Sequence, residues 1–228
     1  MNSVLGSFKS DRLWRAGSIV DYARQAVESF YGLFNDLTKE RGSGTTSNVE
    51  QDLLRAMVVF AGAGLDATLK QIVKDALPDV LRKSRTAREN FEKFTVRYLC
   101  RTEDTGDEAA DLLPSLKRIA SLMAEDSPRQ ALIDLLVEER TNHSLQSGEE
   151  LMRTVSVLGV TGFNLNTKHL NAFVVRNDIV HEMDVQFPGE VGKRNRKQRS
   201  RDEMYGHASA LLETSICILE EVDKVLSA

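Results

Sequence analysis

A short string in the last third of the chain brings together side chains whose types and spacing could do chemistry. Arg176 is followed directly by Asn177, and His181 comes five positions after the arginine. An imidazole can move protons, and a guanidinium can hold the negative charge that develops on a phosphorus atom. These are the groups needed to cleave RNA without a metal, by attack of a 2′-hydroxyl on the adjacent phosphate.

The string should lie near the end of a helix, and helical geometry limits what one copy can do. Asn177 and His181 are four apart and share a face, whereas Arg176 lies about 140° around the helix from His181. Glu182, together with the dipole of the helix C-terminus, would favour the protonated imidazole. Asp178 is a second acid placed to support the site.

The residues alone also allow a structural role for this string. An arginine followed by a histidine four to six positions later occurs by chance, and Arg201 with His207 is a second such pair. A histidine at a helix end often caps carbonyl groups, and an arginine there often pairs with an acid. Both roles stay open at this point.

Asp66 is a candidate positioning residue because it stands in an otherwise apolar helical run. A buried acid needs a partner, and Arg176, His181 and Arg55 are the expected ones. Such a pair would orient the site. The alternative is a simple structural ion pair.

A basic loop follows the string and could grip phosphates. Its six cations fall within nine residues: Lys193, Arg194, Arg196, Lys197, Arg199 and Arg201. The functional interpretation is an RNA-binding loop beside the cleft. The alternative is a solvated turn whose last arginines pair with Asp202 and Glu203.

Composition limits the class of protein. The chain has 228 residues, is 41% apolar and 28% charged, and carries a net charge of −4, so any nucleic-acid site must be a local patch. Cys100 and Cys217 stand far apart, outside any zinc or disulfide spacing, which fits a reducing cytoplasm. The longest apolar or glycine run, residues 57 to 65, is too short to span a bilayer. We expect a cytoplasmic protein that needs no metal, cofactor or membrane.

Helical signals dominate the organisation of the chain. Residues 1 to 45 carry a long amphipathic helix whose apolar seam must pack either on the rest of a bundle or on a second subunit. The seam residues alternate spacings of three and four: Leu13, Ala16, Val20, Ala23, Val27, Phe30, Phe34 and Leu37.

Capping signals place the other helices. Ser47 and Glu50 form a capping box that should begin a second helix, which we expect to stop before Pro78. Small residues at 61 to 64 of that helix predict a tight helix crossing. Ser127 with Gln130 is another predicted capping box, with proline at the first helical position.

The remaining elements complete an all-α class, a bundle of about six to eight helices. A third helix should cover residues 86 to 100, followed by an acidic loop at 103 to 107. The helix that carries the string should run from about 166 to just after 183, and a last helix from about 202 to 226. Residues 48 to 228 would form one domain on which the N-terminal helix packs.

The string resembles the R-(N/D/H)-x-x-x-H motif of the HEPN superfamily of helical bundles. The apolar second helix with its embedded Asp66 is similar to the corresponding helix of that family. The basic stretch that enters the last helix resembles the RiboL-PSP subgroup. The resemblance covers residues 48 to 228 and leaves the N-terminal helix outside.

The resemblance implies a metal-independent endoribonuclease that works as a homodimer with a composite site. His181 would act as general acid or base, Arg176 would stabilise the phosphorane, and Asn177 would orient an oxygen or the imidazole. Many family members are toxins or phage-defence effectors, so a cognate antitoxin or defence-system protein is a further partner that the resemblance allows. Other members only bind RNA, so a non-catalytic RNA- or protein-binding module is the alternative. A purely structural oligomer built on the N-terminal seam is a third.

Overall fold

The computed structural model describes residues 8–42, 44–100, 108–186 and 195–228, and within them the protein is a bundle of eight α-helices. A 3-10 turn, Asp11–Leu13, precedes the first helix. The helices in chain order are α1 (Trp14–Arg41), α2 (Asn48–Lys83), α3 (Arg85–Leu99), α4 (Glu108–Met123), α5 (Pro128–Thr141), α6 (Gly148–Val157), α7 (Thr167–Glu182) and α8 (Arg201–Ser227). The all-α prediction and its range of six to eight helices are confirmed.

Helix α2 is the centre of the bundle. The Ser47 hydroxyl accepts a hydrogen bond from the Glu50 N–H, and the Glu50 carboxylate accepts one from the Ser47 N–H, so the predicted capping box is present. Apolar side chains are buried around much of its circumference because α1, α8, α5 and α7 pack against it.

The prediction that α2 stops before Pro78 is wrong, since the helix continues to Lys83. A proline inside a helix removes one backbone hydrogen bond and crowds the preceding turn, at a cost of about 3 kcal/mol. Leu77, Val80 and Leu81 are all fully buried, and this tertiary burial offsets the cost. Ser84 then ends α2 and caps α3 through the Ala87 N–H.

The apolar seam of α1 packs within the same chain, on α2 and α8. Leu13, Val20 and Phe34 are among its buried members. Phe30 is partly buried and lies 5.1 Å, centroid to centroid, from the ring of Phe60 on α2. The seam was expected to pack either on the bundle or on a second subunit, and the structure shows it packed on the bundle of its own chain.

The small residues of α2 do allow close crossings, as predicted. A Cβ built on Gly64 would lie 2.4 Å from the Cβ of Ala23 on α1. One built on Gly62 would lie 3.0 Å from Cγ of Arg176 on α7. Two different helices therefore approach α2 within a few residues.

One local prediction is wrong, and one helix was not predicted. Helix α5 begins at Pro128 as expected, but the Ser127 side chain makes no capping hydrogen bond, so the second capping box is wrong. Its ψ of 79° departs from the extended backbone at Ser47, where ψ is 164°. Helix α4, with Pro114 inside it, was not predicted. The predicted acidic loop, 103–107, lies outside the described residues.

A short antiparallel pairing follows α7 and was not predicted. Strand β1 (Val185–Gln186) pairs with β2 (Asn195–Arg196), with Val185 opposite Arg196. Because each strand has only two residues, the sequence contains no alternating pattern from which the pairing could be predicted.

By length and composition alone, α2 could cross a membrane, and it is the single such helix among the described residues. In its most apolar 18-residue stretch, 56% is buried inside the protein. Burial of this kind is what the central helix of a bundle shows.

Candidate active site

Helix α7 carries the Arg176–His181 string, and its bounds agree with the prediction. Asn166 caps its start, because the Asn166 Oδ1 accepts from the His169 N–H at 3.1 Å and His169 Nδ1 accepts from the Asn166 N–H at 3.2 Å. Burial, together with nearby Lys168, lowers the pKa of His169 against the opposing effect of Glu213. The lowered pKa favours the neutral imidazole, in which one ring nitrogen can accept a hydrogen bond.

One face of α7 is buried and the opposite face is open. Ala172, Val175 and Ile179 lie on the buried face, against the bundle. Leu170, Val174 and His181 are exposed. The histidine of the string therefore faces outward at the end of an exposed apolar stripe.

Arg176 is partly buried and reaches its neighbour rather than the histidine. Its aliphatic stem lies over Gly62, and its Nη1 donates to Oδ1 of Asn177 at 3.0 Å. Asn177 in turn donates from Nδ2 to the carbonyl oxygen of Gln146 at 2.7 Å. The guanidinium, the amide and the loop before α6 thus form one chain of hydrogen bonds.

His181 makes no hydrogen bond or ion pair with any residue that the structure describes. Glu182 is also exposed. The structure therefore brings Arg176 and Asn177 together but does not join either to His181 within one chain. This agrees with the expectation, from their positions around the helix, that one chain offers only part of a site.

The partners predicted for Asp66 are wrong. Its Oδ2 lies 2.8 Å from Nζ of Lys70, one helical turn away, and its Oδ1 accepts from the Leu145 N–H at 2.8 Å. Sequence position put Asp66 on the correct helix, but the face it occupies turns toward the loop before α6. That loop also provides Gln146, so Asp66 lies behind the site and contacts it indirectly.

Arg55 is buried and has a structural set of partners. It donates to Asp184 at 3.0 Å, to Asp52 at 3.1 Å and to the carbonyl oxygen of Lys197 at 2.7 Å. It therefore fastens α2 to the residues on both sides of the β1–β2 pairing, and no hydrogen bond or ion pair joins it to Arg176 or His181 in the described chain.

Asp184 is a residue that sequence analysis missed. Its side chain is fully buried, and Arg199 binds it with two nitrogens, at 2.6 and 3.1 Å. Burial by itself raises the pKa of this carboxyl, but the hydrogen bonds from Arg199 and Arg55 outweigh burial, so its pKa is lowered.

Asp184 and its neighbour also end α7. Met183 and Asp184 both have left-handed backbone, with φ of 53° and 58°. Asparagine and aspartate tolerate this conformation better than other non-glycine residues, which is a sequence signal that could have located the turn.

The basic loop is divided between described and undescribed residues. Lys193 and Arg194 lie outside the described residues. Each of the other four cations has a carboxylate partner: Arg196 with Asp52 at 2.7 Å, Lys197 with Asp178 at 2.6 Å, Arg199 with Asp184, and Arg201 with Asp202 at 2.8 Å. Of the pairs that the structural alternative expected, the structure shows Arg201 with Asp202, whereas Arg199 pairs with Asp184 rather than with Asp202 or Glu203. RNA contact by these four cations stays a prediction.

Asp178 therefore supports the basic loop more directly than it supports the histidine. Its carboxylate lies 2.6 Å from Lys197 and 3.5 Å from Arg199.

No group of three histidine, cysteine or acidic side chains among the described residues could hold a metal ion.

No protein-family model matches this chain, and neither a curated protein nor a solved structure matches it significantly. The geometry of α7 and the resemblance of its motif are therefore what bear on function.

Proposed function

We propose that this protein is a metal-independent endoribonuclease of the HEPN type that acts as a homodimer. The observation that carries the proposal is the placement of Arg176, Asn177 and His181 near the C-terminal end of α7. There the histidine is exposed and the arginine is held by the amide. In a cell, we propose the role of a toxin or phage-defence effector with a neutralising protein partner.

The chemistry follows from the two groups. His181 removes the proton from a 2′-hydroxyl, which attacks the adjacent phosphate, and a histidine returns a proton to the leaving 5′-oxygen. The Arg176 guanidinium stabilises the added negative charge on the phosphorane oxygens. The products carry a 2′,3′-cyclic phosphate and a 5′-hydroxyl, and DNA, which lacks the 2′-hydroxyl, is not cleaved.

The exposed face of α7 supports a dimer. Leu170 is 45% exposed and Val174 59% exposed, and both lie within about 60° of Asn177 and His181 around the helix. Two-fold packing of this face on its copy would bury the apolar residues and bring two histidines close to each other. In such a composite cleft, the arginine of one copy would lie near the histidine of the other.

A non-catalytic RNA- or protein-binding module is the second candidate. Its specific support is that Arg176 already donates a hydrogen bond to Asn177, and Asn177 donates one to the carbonyl oxygen of Gln146. Residues with a purely structural role have such internal partners. The four described cations of the basic loop are likewise paired with acids.

RNA cleavage by the purified protein in EDTA distinguishes the two candidates. We expect the parent to cleave single-stranded RNA, and His181→Ala to lose about 100-fold or more of the rate, as for a lost general acid or base. His143→Ala is the matched control, because His143 is also exposed but lies outside the string. End analysis should find 2′,3′-cyclic phosphates.

Each other outcome counts against the nuclease. Equal cleavage by all three proteins would indicate a contaminant or a different site. Absence of cleavage across several RNAs, with RNA binding retained, would favour the binding module. For the toxin role, expression of the parent should slow growth, and expression of His181→Ala should not.

A further inference from the structure

A cleft between α3, α5 and α6 concentrates positive charge away from the Arg176–His181 string. It has a volume of about 510 Å³, within the range of small-molecule sites. Lys93, Arg97, Arg140 and Arg153 line it, and among the described lining residues Glu139 is the one carboxylate. The chain as a whole has a net charge of −4, so the positive charge of this lining is opposite in sign to that of the whole protein.

Arg140 is the most buried of these cations. Its side chain is 18% exposed, and its Nη2 lies 3.3 Å from the carboxylate of the adjacent Glu139. Its Nε is buried and has no hydrogen-bond partner in the part of the chain that the structure describes. A buried guanidinium N–H that lacks an acceptor costs free energy, so an acceptor from outside the chain would be favourable.

Like charges add to this cost. Burial lowers the pKa of Arg140, and Arg97 and Arg153 lower it further, against the opposing effect of Glu139. An anion placed among the three guanidinium groups would relieve their repulsion and replace the lost hydration of Arg140.

The two other arginines are free to turn toward such an anion. Arg97 donates to Glu139 at 2.7 Å and Arg153 to Glu149 at 2.5 Å, and both arginine side chains are more than half exposed. Exposed ion pairs of this kind contribute little stability, so exchanging a carboxylate for a bound anion costs little.

We propose that this cleft binds the phosphate group of a small phosphorylated ligand through Arg140, Arg97 and Arg153. Guanidinium groups match phosphate oxygens with paired hydrogen bonds, which a point charge cannot do. The buried side chains of Phe94 and Val157 form the apolar floor of the same cleft. No residue of the proposed nuclease site lines it, so the proposal does not depend on RNA cleavage.

The test measures binding by calorimetry at constant ionic strength, with inorganic phosphate and adenosine 5′-monophosphate as probes. We expect the parent to bind both, and Arg140→Gln to lower the affinity about tenfold or more. Arg129→Gln is the matched control, because Arg129 is an exposed arginine on the same helix, outside the cleft. It should bind as the parent does.

A folding check accompanies the binding measurement. Removal of a buried, repelled cation should leave the midpoint of thermal unfolding unchanged or raise it. If Arg140→Gln nevertheless unfolds, Arg140→Lys replaces it as the test because lysine keeps the charge. Arg140→Lys should bind phosphate more weakly than the parent, because it lacks the paired donors of the planar guanidinium.

The outcomes that overturn the proposal are distinct. Two of them are that the parent binds neither probe, or that the parent and Arg140→Gln bind with equal affinity. Equal weakening in Arg140→Gln and Arg129→Gln would indicate that binding depends only on the overall electrostatic field of the protein. A 5′-hydroxyl oligoribonucleotide then identifies the source of the phosphate. Displacement of bound phosphate by this RNA indicates a phosphodiester, and lack of displacement indicates a phosphomonoester.

Discussion

At the scale of single residues, the buried carboxylate of Asp184 organises more of the candidate site than any residue of the Arg176–His181 string. It holds Arg55 of α2 and Arg199 of the segment before α8, and it occupies a left-handed turn directly after α7. A buried charge in this position is tolerated because two guanidinium groups satisfy it.

Replacing Asp184 by asparagine should destabilise the protein strongly. Asp184→Asn keeps the shape and tolerates the left-handed turn, but it removes the buried negative charge that Arg55 and Arg199 share, at a cost of about 3–5 kcal/mol. Urea unfolding at neutral pH measures the loss. Asp202→Asn, which removes an exposed carboxylate paired with Arg201, is the control and should leave the unfolding midpoint unchanged.

The same variant has a defined pH dependence. Because the folded protein lowers the pKa of Asp184 below its ordinary value of 3.8, its stabilising contribution is present above pH 3.8 and is lost as the pH falls toward the lowered pKa. The stability gap between the parent and Asp184→Asn should therefore be constant near neutrality and close in acid. A gap that stays constant into acid would contradict the charge-based explanation.

At the scale of elements, the crossings on α2 decide how the helices are placed. Gly64 lets α1 approach so closely that an added Cβ would lie 2.4 Å from the Cβ of Ala23. Glycine is otherwise a poor helix residue, by about 1 kcal/mol relative to alanine. The close approach is the reason that glycine is favourable at this position.

Alanine substitutions at two glycines should have opposite effects. Gly64→Ala should lower the free energy of unfolding by about 1–3 kcal/mol, because α1 must move away from α2. Gly32→Ala on α1 should raise it by about 0.5–1 kcal/mol, because a Cβ there meets nothing within 4 Å. Paired denaturant unfolding curves measure both. Equal effects would mean that helix propensity alone accounts for them.

Local signals predicted the elements whose ends are decided locally. Ser47 marks the start of α2 and Asn166 the start of α7, and both starts agree with the prediction within a residue or two. Pro78 misled the prediction because tertiary burial of its neighbours outweighs the local cost. The partner of Asp66 was missed because spacing tells which helix face a residue occupies, but not what lies opposite that face.

At the scale of the whole molecule, α1, α2 and α8 share one hydrophobic core with the shorter helices around it. The carboxylate of Asp223 on α8 accepts from the N–H groups of Lys9 and Ser10, so the two ends of the described chain are tied together. The open face of α7 lies on the outside of this core, where a second copy could contact it.

A charge on the open face of α7 should separate the proposed dimer without unfolding the chain. Val174→Glu places like charges against each other across a two-fold interface, so we expect monomers and at least a tenfold loss of RNA cleavage, with the helical circular dichroism of the parent retained. Val96→Glu on α3, where the valine is similarly exposed, is the control. Light scattering reports the mass, and a monomeric parent would contradict the dimer.

Mixing two inactive variants tests whether the cleft is shared. If Arg176→Ala and His181→Ala chains form mixed dimers, the shared cleft contains one intact arginine and one intact histidine, and part of the activity should return. If Val174→Glu lowers activity but mixing restores none, the interface is required while each site works alone.

The anchors on both sides of the β1–β2 pairing have an evolutionary consequence. Gln51 holds the backbone of Arg199 by both its N–H and its carbonyl oxygen, and Arg55 holds the carbonyl of Lys197, so the chain returns to α2 at a fixed place. Selection on the fold should therefore act on Gln51 and Arg55, because these two side chains fix where the segment before α8 meets α2.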